Sequence, residues 1–450
     1  FFYYLNPHVA QPGARAGKKE RKKINREKLD AARRDILELG TPAPVAEALV
    51  NFISSAPDEM VRRIRPRFLA SRMDIDPDTL IMAMMHSCRA GLLAMSWDIV
   101  CPHCREVKAS YTGLEEITDL TSCGTCSIDF TPASENTVEI TFSVSPEIRK
   151  VRNRRYCSAE PARKRHILLQ KHLARGSKYL LTLPAMEKRL QFRIHGKKYY
   201  GKLDLKPDGQ MLNLYWDDIS ANRIIEAGPG STVFISNTED EGRGYVIELG
   251  EPDTEALRPS SLFTMQEFRD FFPDERVAPG FSMDMGTQNL MFINVSGSTA
   301  FYKEAGDSDA FISIKKYLSS SHHIARQFGG AVIKTSGDSI LLAFSRPMDA
   351  VRAGIRILRN YGGSGDIPLS VKISLHRGRC IAVNKDSAID FFGHAVNVAE
   401  KLQNTAGGGE MLLSEPFCRE QTVAVYLAEK GYSRNYASTG INGAGEVRYL

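Results

Sequence analysis

From Leu290 the chain reads L-M-F-I-N-V-S-G-S-T, continues through a long helical pattern, and then reads G-G-A-V-I-K-T-S-G-D-S-I-L-L-A-F. An apolar strand running into a loop of small residues and a helix, followed by an apolar hairpin, leaves few folds open. Lys334 and Asp338 stand four positions apart around the hairpin turn. Some distance further on comes I-D-F-F-G-H-A-V-N-V-A-E-K-L, a short strand followed by a helix. The loop V-S-G-S-T admits two readings. Its backbone N–H groups and the helix end behind it suit a phosphate group; alternatively Gly297, Ser298 and Thr299 merely cap a helix.

With 450 residues and 42% hydrophobic residues the chain has room for several packed domains. No apolar run approaches the ~18 residues of a membrane helix, and no signal peptide is visible. The chain begins at Phe1, so a preceding segment is left open. The formal net charge of +6 is concentrated in Lys18–Arg34 and Arg149–Arg165. Such runs are expected to be solvated helix faces or linkers, with nucleic acid or anionic lipid as the other reading. Neither run carries the regular aromatic interleaving of a single-strand binding platform, so nucleic acid is not an expected partner.

Residues 1–40 read as a basic segment with a frayed helix, and 41–96 as a helical, winged-helix-like domain. Asp76 is placed to cap a helix with Pro77 at its first position. Its Met-rich stretch reads as core filling. Residues 97–148 hold the paired cysteines, and 149–165 a basic linker. Residues 166–262 alternate apolar and polar positions between Gly and Asp turns, including His195-Gly196, and read as a β-sandwich-like domain. Residues 263–283 read as a connector whose amphipathic helix stops at Pro273. The blocks described first occupy 284–450.

Four of the eight cysteines form two pairs, Cys101-Pro-His-Cys104 and Cys123-Gly-Thr-Cys126, eighteen residues apart. Two such knuckles can direct four thiolates at one ion, the pattern of a zinc ribbon with a closed, structural Zn2+ site. Redox chemistry at the first pair is the other reading, and the second pair argues against it. Paired cysteines in a chain of this size point to a reducing compartment, hence a cytoplasmic location.

The blocks around Asn294, Lys334–Asp338 and Asp390–Lys401 resemble the catalytic core of class III nucleotide cyclases. The order of segments, with CPHC…CGTC ahead of Q-E-F-R-D-F-F, extends the resemblance to a bacterial group with an N-terminal CxxC…CxxC domain of unknown function. The expected fold is multidomain α+β: a helical and zinc-ribbon region, a central β-sandwich-like domain, and a ferredoxin-like class III cyclase domain over 284–450. The resemblance implies adenylate cyclase activity, ATP being converted to 3',5'-cyclic AMP and pyrophosphate in signal transduction.

It further implies that Lys334 and Asp390 read adenine, that Gly297, Ser298 and Thr299 hold phosphates, and that Asn397 orients the ribose. Lys401 stands where the family has an Arg that stabilises the transferring phosphate, and shares a helix face with Asn397. Asp338 and position 294 would hold two Mg2+ or Mn2+ ions. The family has Asp at position 294; this chain has Asn. An Asn carbonyl brings no charge, so weak or regulated activity is expected, with a catalytically inactive nucleotide-binding regulator as the alternative. A head-to-tail homodimer with shared sites completes the expectation. A zinc-ribbon regulator that binds DNA is the more distant reading.

Overall fold

A computed structural model describes residues 24–117, 120–151, 166–220, 222–361, 369–431, 436–441 and 445–450. The front unit opens with helices Arg26–Glu38, Ala43–Ser55, Asp58–Arg62, Pro66–Met73 and Pro77–Arg89. Asp76 caps the last of these, accepting the Thr79 N–H at 2.9 Å, with Pro77 at the first position. A three-stranded antiparallel sheet follows, in the order Val107–Tyr111, Leu93–Val100, Val138–Val144. The helix Arg26–Glu38 buries Leu29, Ala32 and Ile36 in the same core as Leu49, Leu80 and Trp97. That part of the basic segment is therefore packed against the helices behind it.

The second basic run departs from expectation at its start. Arg149 is 1% exposed. It donates to the Ile53 carbonyl at 2.6 Å and the Ala56 carbonyl at 2.9 Å, and pairs with Asp58. A buried guanidinium needs such partners, and here it clamps the end of one helix to the start of another. The rest of the two basic stretches, 1–23 and 152–165, lies outside the described residues.

Residues 166–262 build two sheets around their own core. One has five strands in the order Ile224–Ala227, Tyr200–Leu205, Lys188–Ile194, Arg243–Leu249, Ile167–Leu173; the other has three, Asn213–Tyr215, Thr232–Ser236, Lys178–Thr182. Phe192, Leu203, Trp216, Val233 and Ile235 lie between them. Gly196 takes φ +76 in the turn expected at His195-Gly196.

The connector carries the one expected helix, Gln266–Phe271, which ends just before Pro273. It is shorter than expected, and extended backbone at Met265, φ −99 and ψ 122, sets it off from a separate short helix, Pro259–Leu262, that precedes the connector. Burial of Phe263 and Phe268 on either side of Thr264 explains the break, because both rings turn into one core against Trp97.

The C-terminal sheet runs Gly330–Ser336, Ser339–Phe344, Ser282–Val295, Val371–Lys385, Ala388–Phe392, with Met411–Leu413 parallel to the fourth. Taking the first four strands in chain order, the arrangement is 4-1-3-2 with antiparallel neighbours, the β-α-β-β-α-β pattern of ferredoxin-like folds. Its long central strand alternates between two cores. Leu290 and Phe292 face the front unit, whereas Met291, Ile293 and Val295 face helices Asp307–Gln327 and Pro347–Tyr361. Helix His394–Thr405 lies on the front-unit side through Ala395, Val396 and Ala399. Twist brings the two edge strands, Gly330–Ser336 and Ala388–Phe392, into contact.

Candidate active site

The four cysteines converge. Their sulfur atoms lie within 4.8 Å of one another, and all four are buried. Hydrogen bonds from Cys104 and then Cys126 draw Cys101 down to about 4, while hydrogen bonds to Cys101 and Cys104 push Cys126 up. Burial opposes the charge on Lys108, but hydrogen bonds to Glu106 and Cys123 outweigh it and raise the group. The cluster also docks on the β-rich unit: Gly196 donates to the Thr125 carbonyl at 2.9 Å, and the His103 ring lies 4.7 Å from that of Tyr200. A donor set of four sulfurs with cations nearby suits a soft, tetrahedral metal.

In the C-terminal sheet, Asn294 and Asp338 come to the same end of neighbouring strands. The antiparallel register aligns Ile293 with Ile340, so Asn294 and the turn before Ser339 sit side by side. Ser336 pairs with Ser339, leaving a two-residue turn in which Gly337 has φ +60 and Asp338 occupies the second place. Asn294 Oδ1 and Asp338 Oδ2 are both buried and have no hydrogen-bond partner. Orphaned buried oxygens are rare and costly; two at one strand end are hard donors of the kind Mg2+ or Mn2+ takes. Burial, and then the nearby Asp338 carboxylate, holds the Tyr317 phenol protonated.

Lys334 and Asp390 meet at 3.1 Å, Lys334 Nζ donating to Asp390 Oδ2. This ion pair joins the two edges of the sheet. A bulge between Val332 and Lys334 shifts the ladder and aims the lysine. The ammonium also lies 5.1 Å above the Phe392 ring. Asp390 is 5% exposed, and its Oδ1 accepts the Phe391 N–H at 2.7 Å.

Gly297 takes φ +67 and precedes helix Ser298–Ala305, which has no side-chain cap. Its first N–H groups are thus left open, in keeping with the phosphate reading. Asn397 and Lys401 are exposed on one face of helix His394–Thr405.

Two features escaped the sequence. Lys372 lies directly across the ladder from Asn294, hence on the same face of the sheet. Only the register of a strand pair far apart in the chain shows it. The second is the contact of the connector with both edge strands, where Gln266 accepts the Val332 N–H and Arg269 donates to the Ile389 carbonyl.

Residues 283–425 match the model of the adenylate and guanylate cyclase catalytic domain. Residues 29–161 match a family of unknown function, DUF5939. An adenylate cyclase of Lachancea kluyveri is 26% identical over 170 residues, which are 32% of this chain and 9% of that protein. An adenylate cyclase of Mycosarcoma maydis is 24% identical over 183 residues, 34% of this chain and 7% of that protein. The chain thus spans less than a tenth of either relative. Among solved structures, the adenylyl cyclase CyaB from P. aeruginosa is 18% identical, with 38% of this chain and 94% of that chain covered and a TM-score of 0.31. Sheet order and family match together support a class III adenylate/guanylate cyclase catalytic domain over residues 283–425. Among the described residues no helix is long and apolar enough to cross a membrane.

Proposed function

We propose that the chain is an adenylate cyclase of attenuated activity, forming 3',5'-cyclic AMP and pyrophosphate from ATP. The observation that carries this reading is the Lys334–Asp390 pair closing the two sheet edges, with the orphaned oxygens of Asn294 and Asp338 at the strand ends. In the reaction the ribose 3'-oxygen forms a bond to the α-phosphorus. The bond from that phosphorus to the bridging oxygen of pyrophosphate breaks, and the 3'-hydroxyl proton passes to solvent.

Each residue then has a task. Asp390 accepts the exocyclic amino group of adenine, and Lys334 donates to a ring nitrogen. Asn397 orients the ribose. The N–H groups behind Gly297, Ser298 and Thr299 receive phosphate oxygens, and Lys401 and Lys372 place positive charge beside them. Bound Mg2+ or Mn2+ would neutralise phosphate charge and acidify the hydroxyl, held by Asp338 and Asn294. Losing one charge-assisted contact at position 294 costs about 1.5–3 kcal/mol. Spent wholly on the transition state, that is a roughly 10- to 150-fold slower rate. In this reading one protomer offers Asn294 and Asp338 while its partner offers the base and ribose contacts, so the active form is a homodimer with two equivalent sites. The cysteine cluster is a zinc ribbon holding a structural Zn2+, the unit behind it a small β-sandwich, and the setting cytoplasmic signalling.

Asn294 favours a second reading, a nucleotide-binding regulator without catalysis. One assay separates the two: purified protein with ATP or GTP and Mg2+ or Mn2+, with direct detection of cyclic product, run beside Asn294→Asp. Cyclic AMP from the wild type, faster from the variant, supports the cyclase. If the restored carboxylate yields no cyclic AMP with either metal, the catalytic assignment fails.

A further inference from the structure

The two residues that would read the base sit on strands at opposite ends of the sheet order, so their separation is not set by strand pairing. One turn of the connector spans the gap. Gln266 Oε1 accepts the Val332 N–H at 2.8 Å, where the bulge that aims Lys334 begins. Three residues on, and so on the same helix face, Arg269 Nη1 donates to the carbonyl of Ile389 at 3.0 Å, next to Asp390. The Arg269 Nε donates to Phe263 at 3.0 Å, and its guanidinium lies 5.7 Å from the Phe391 ring centroid.

Arg269 is an expensive choice for mere packing. Its Nη2 is buried with no partner, and no carboxylate forms an ion pair with it among the described residues. Burial pulls its pKa down to about 10, against the opposing pull of Asp390. A buried, incompletely bonded cation costs stability that an apolar side chain of similar volume would not. What the charge provides here is a fixed cation behind the base-reading carboxylate. Gln266 likewise satisfies an edge-strand N–H that solvent could otherwise reach.

We propose that Gln266 and Arg269 are positioning residues for nucleobase selection: they grip the strands of Lys334 and Asp390 from the connector helix, so the placement of that helix sets how well the site holds adenine over guanine. The inference rests on Lys334 and Asp390 reading the base. Recognition at hydrogen-bond range tolerates little displacement, since a misplacement of ~1 Å can cost a factor of about 100. It also makes the connector the mechanical input to the site, because Phe263 and Phe268 on the same segment are anchored on Trp97 of the front unit.

The test uses the full chain with Mn2+ and two probes that lack the attacking hydroxyl, 3'-deoxy-ATP and 3'-deoxy-GTP, with binding followed by calorimetry. Arg269→Met keeps the volume and removes the charge. It should weaken 3'-deoxy-ATP by about ten-fold or more while changing 3'-deoxy-GTP far less, with a melting temperature no lower than that of the wild type. Gln266→Ala should move the ratio in the same direction, and Gln266→Glu, which keeps the acceptor oxygen, should restore it. Lys334→Ala is the reference and should lose the preference outright. If Arg269→Met and Gln266→Ala keep the wild-type ratio while Lys334→Ala loses it, the proposal is wrong and the base reading stands. If Lys334→Ala also keeps the ratio, the base reading falls and takes the proposal with it. Should Arg269→Met not fold, Arg269→Lys and Gln266→Ala decide by the same ratio.

Discussion

Cys101, Cys104, Cys123 and Cys126 reach one point from two tight turns, each delivering a neighbouring pair, and end buried on all sides. Asn294, Lys334 and Asp390 come from three strands of one sheet, Asp338 from a hairpin turn between two of its strands, and Asn397 and Lys401 from a helix whose polar face is exposed. The first cluster gathers its sulfurs against one another, with Glu106 and Lys108 bonded at its edge. The second leaves oxygens at the strand ends without a partner. A closed donor set suits a metal that holds a fold together; an open one suits a ligand that arrives, reacts and departs. The closed cluster draws its ligands from two short stretches of sequence, the open one from residues spread over more than a hundred positions, Asn294 to Lys401.

The largest effect should appear at the closed cluster. Structural zinc sites bind with about 10–16 kcal/mol of apparent free energy, so with the zinc proposed above, Cys123→Ser should lose the metal and loosen the two turns that hold it. Metal analysis should fall from one zinc per chain to none, with faster amide exchange over residues 97–130. Zinc retained at full occupancy with unchanged exchange would remove the contrast drawn here.

The next effect concerns the sheet that carries the second cluster, at its strand Val371–Lys385. His376 is 7% exposed, and its Nδ1 lies 2.8 Å from the Ser414 hydroxyl. Burial, and then His394, lowers its pKa to about 4. The unfolded imidazole takes up a proton near pH 6.5, the folded one only near 4. Stability from this group is therefore complete above about 6.5 and lost as pH falls toward 4, by about 3 kcal/mol in all. Urea unfolding at several pH values should show that slope in the wild type and a flatter one in His376→Gln. Equal slopes would mean the imidazole is not held neutral.

Asn294→Asp follows, with turnover expected to rise roughly 10- to 150-fold as the missing charge returns. A rate that stays put while nucleotide binding is intact would place the limit elsewhere than at the strand end. The smallest effect is expected for Lys401→Arg. A forked donor set should raise turnover a few-fold by better phosphate geometry, without changing affinity for 3'-deoxy-ATP. Loss of activity there would mean that the ammonium, not merely a positive charge, fits the site.

Much of this was readable from residues in order. The strand–loop–helix–hairpin at 290–344 and the strand–helix at 388–405 lie where the apolar periods put them, and Asp76 caps as expected. Both pairs of cysteines lie on turns that a C-x-x-C spacing predicts, and their convergence follows. The connector helix stops before Pro273 as that proline predicts, but it begins only at Gln266, because periodicity registers the apolar face of Phe263 and Phe268 and not the extended backbone at Met265 that turns both rings inward. Arg149 was taken for part of a solvated run because charge density says nothing of the helix carbonyls that await it.

Local spacing thus determined element types and the cysteine cluster, since each depends on atoms a few residues apart; the candidate nucleotide ligands came from the resemblance to class III cyclases. Tertiary structure alone decided that the sheet curls until Lys334 meets Asp390, that Lys372 stands across from Asn294, and that a turn of the connector holds both edges. These depend on strand register and twist accumulated over many residues, which no short window of sequence contains.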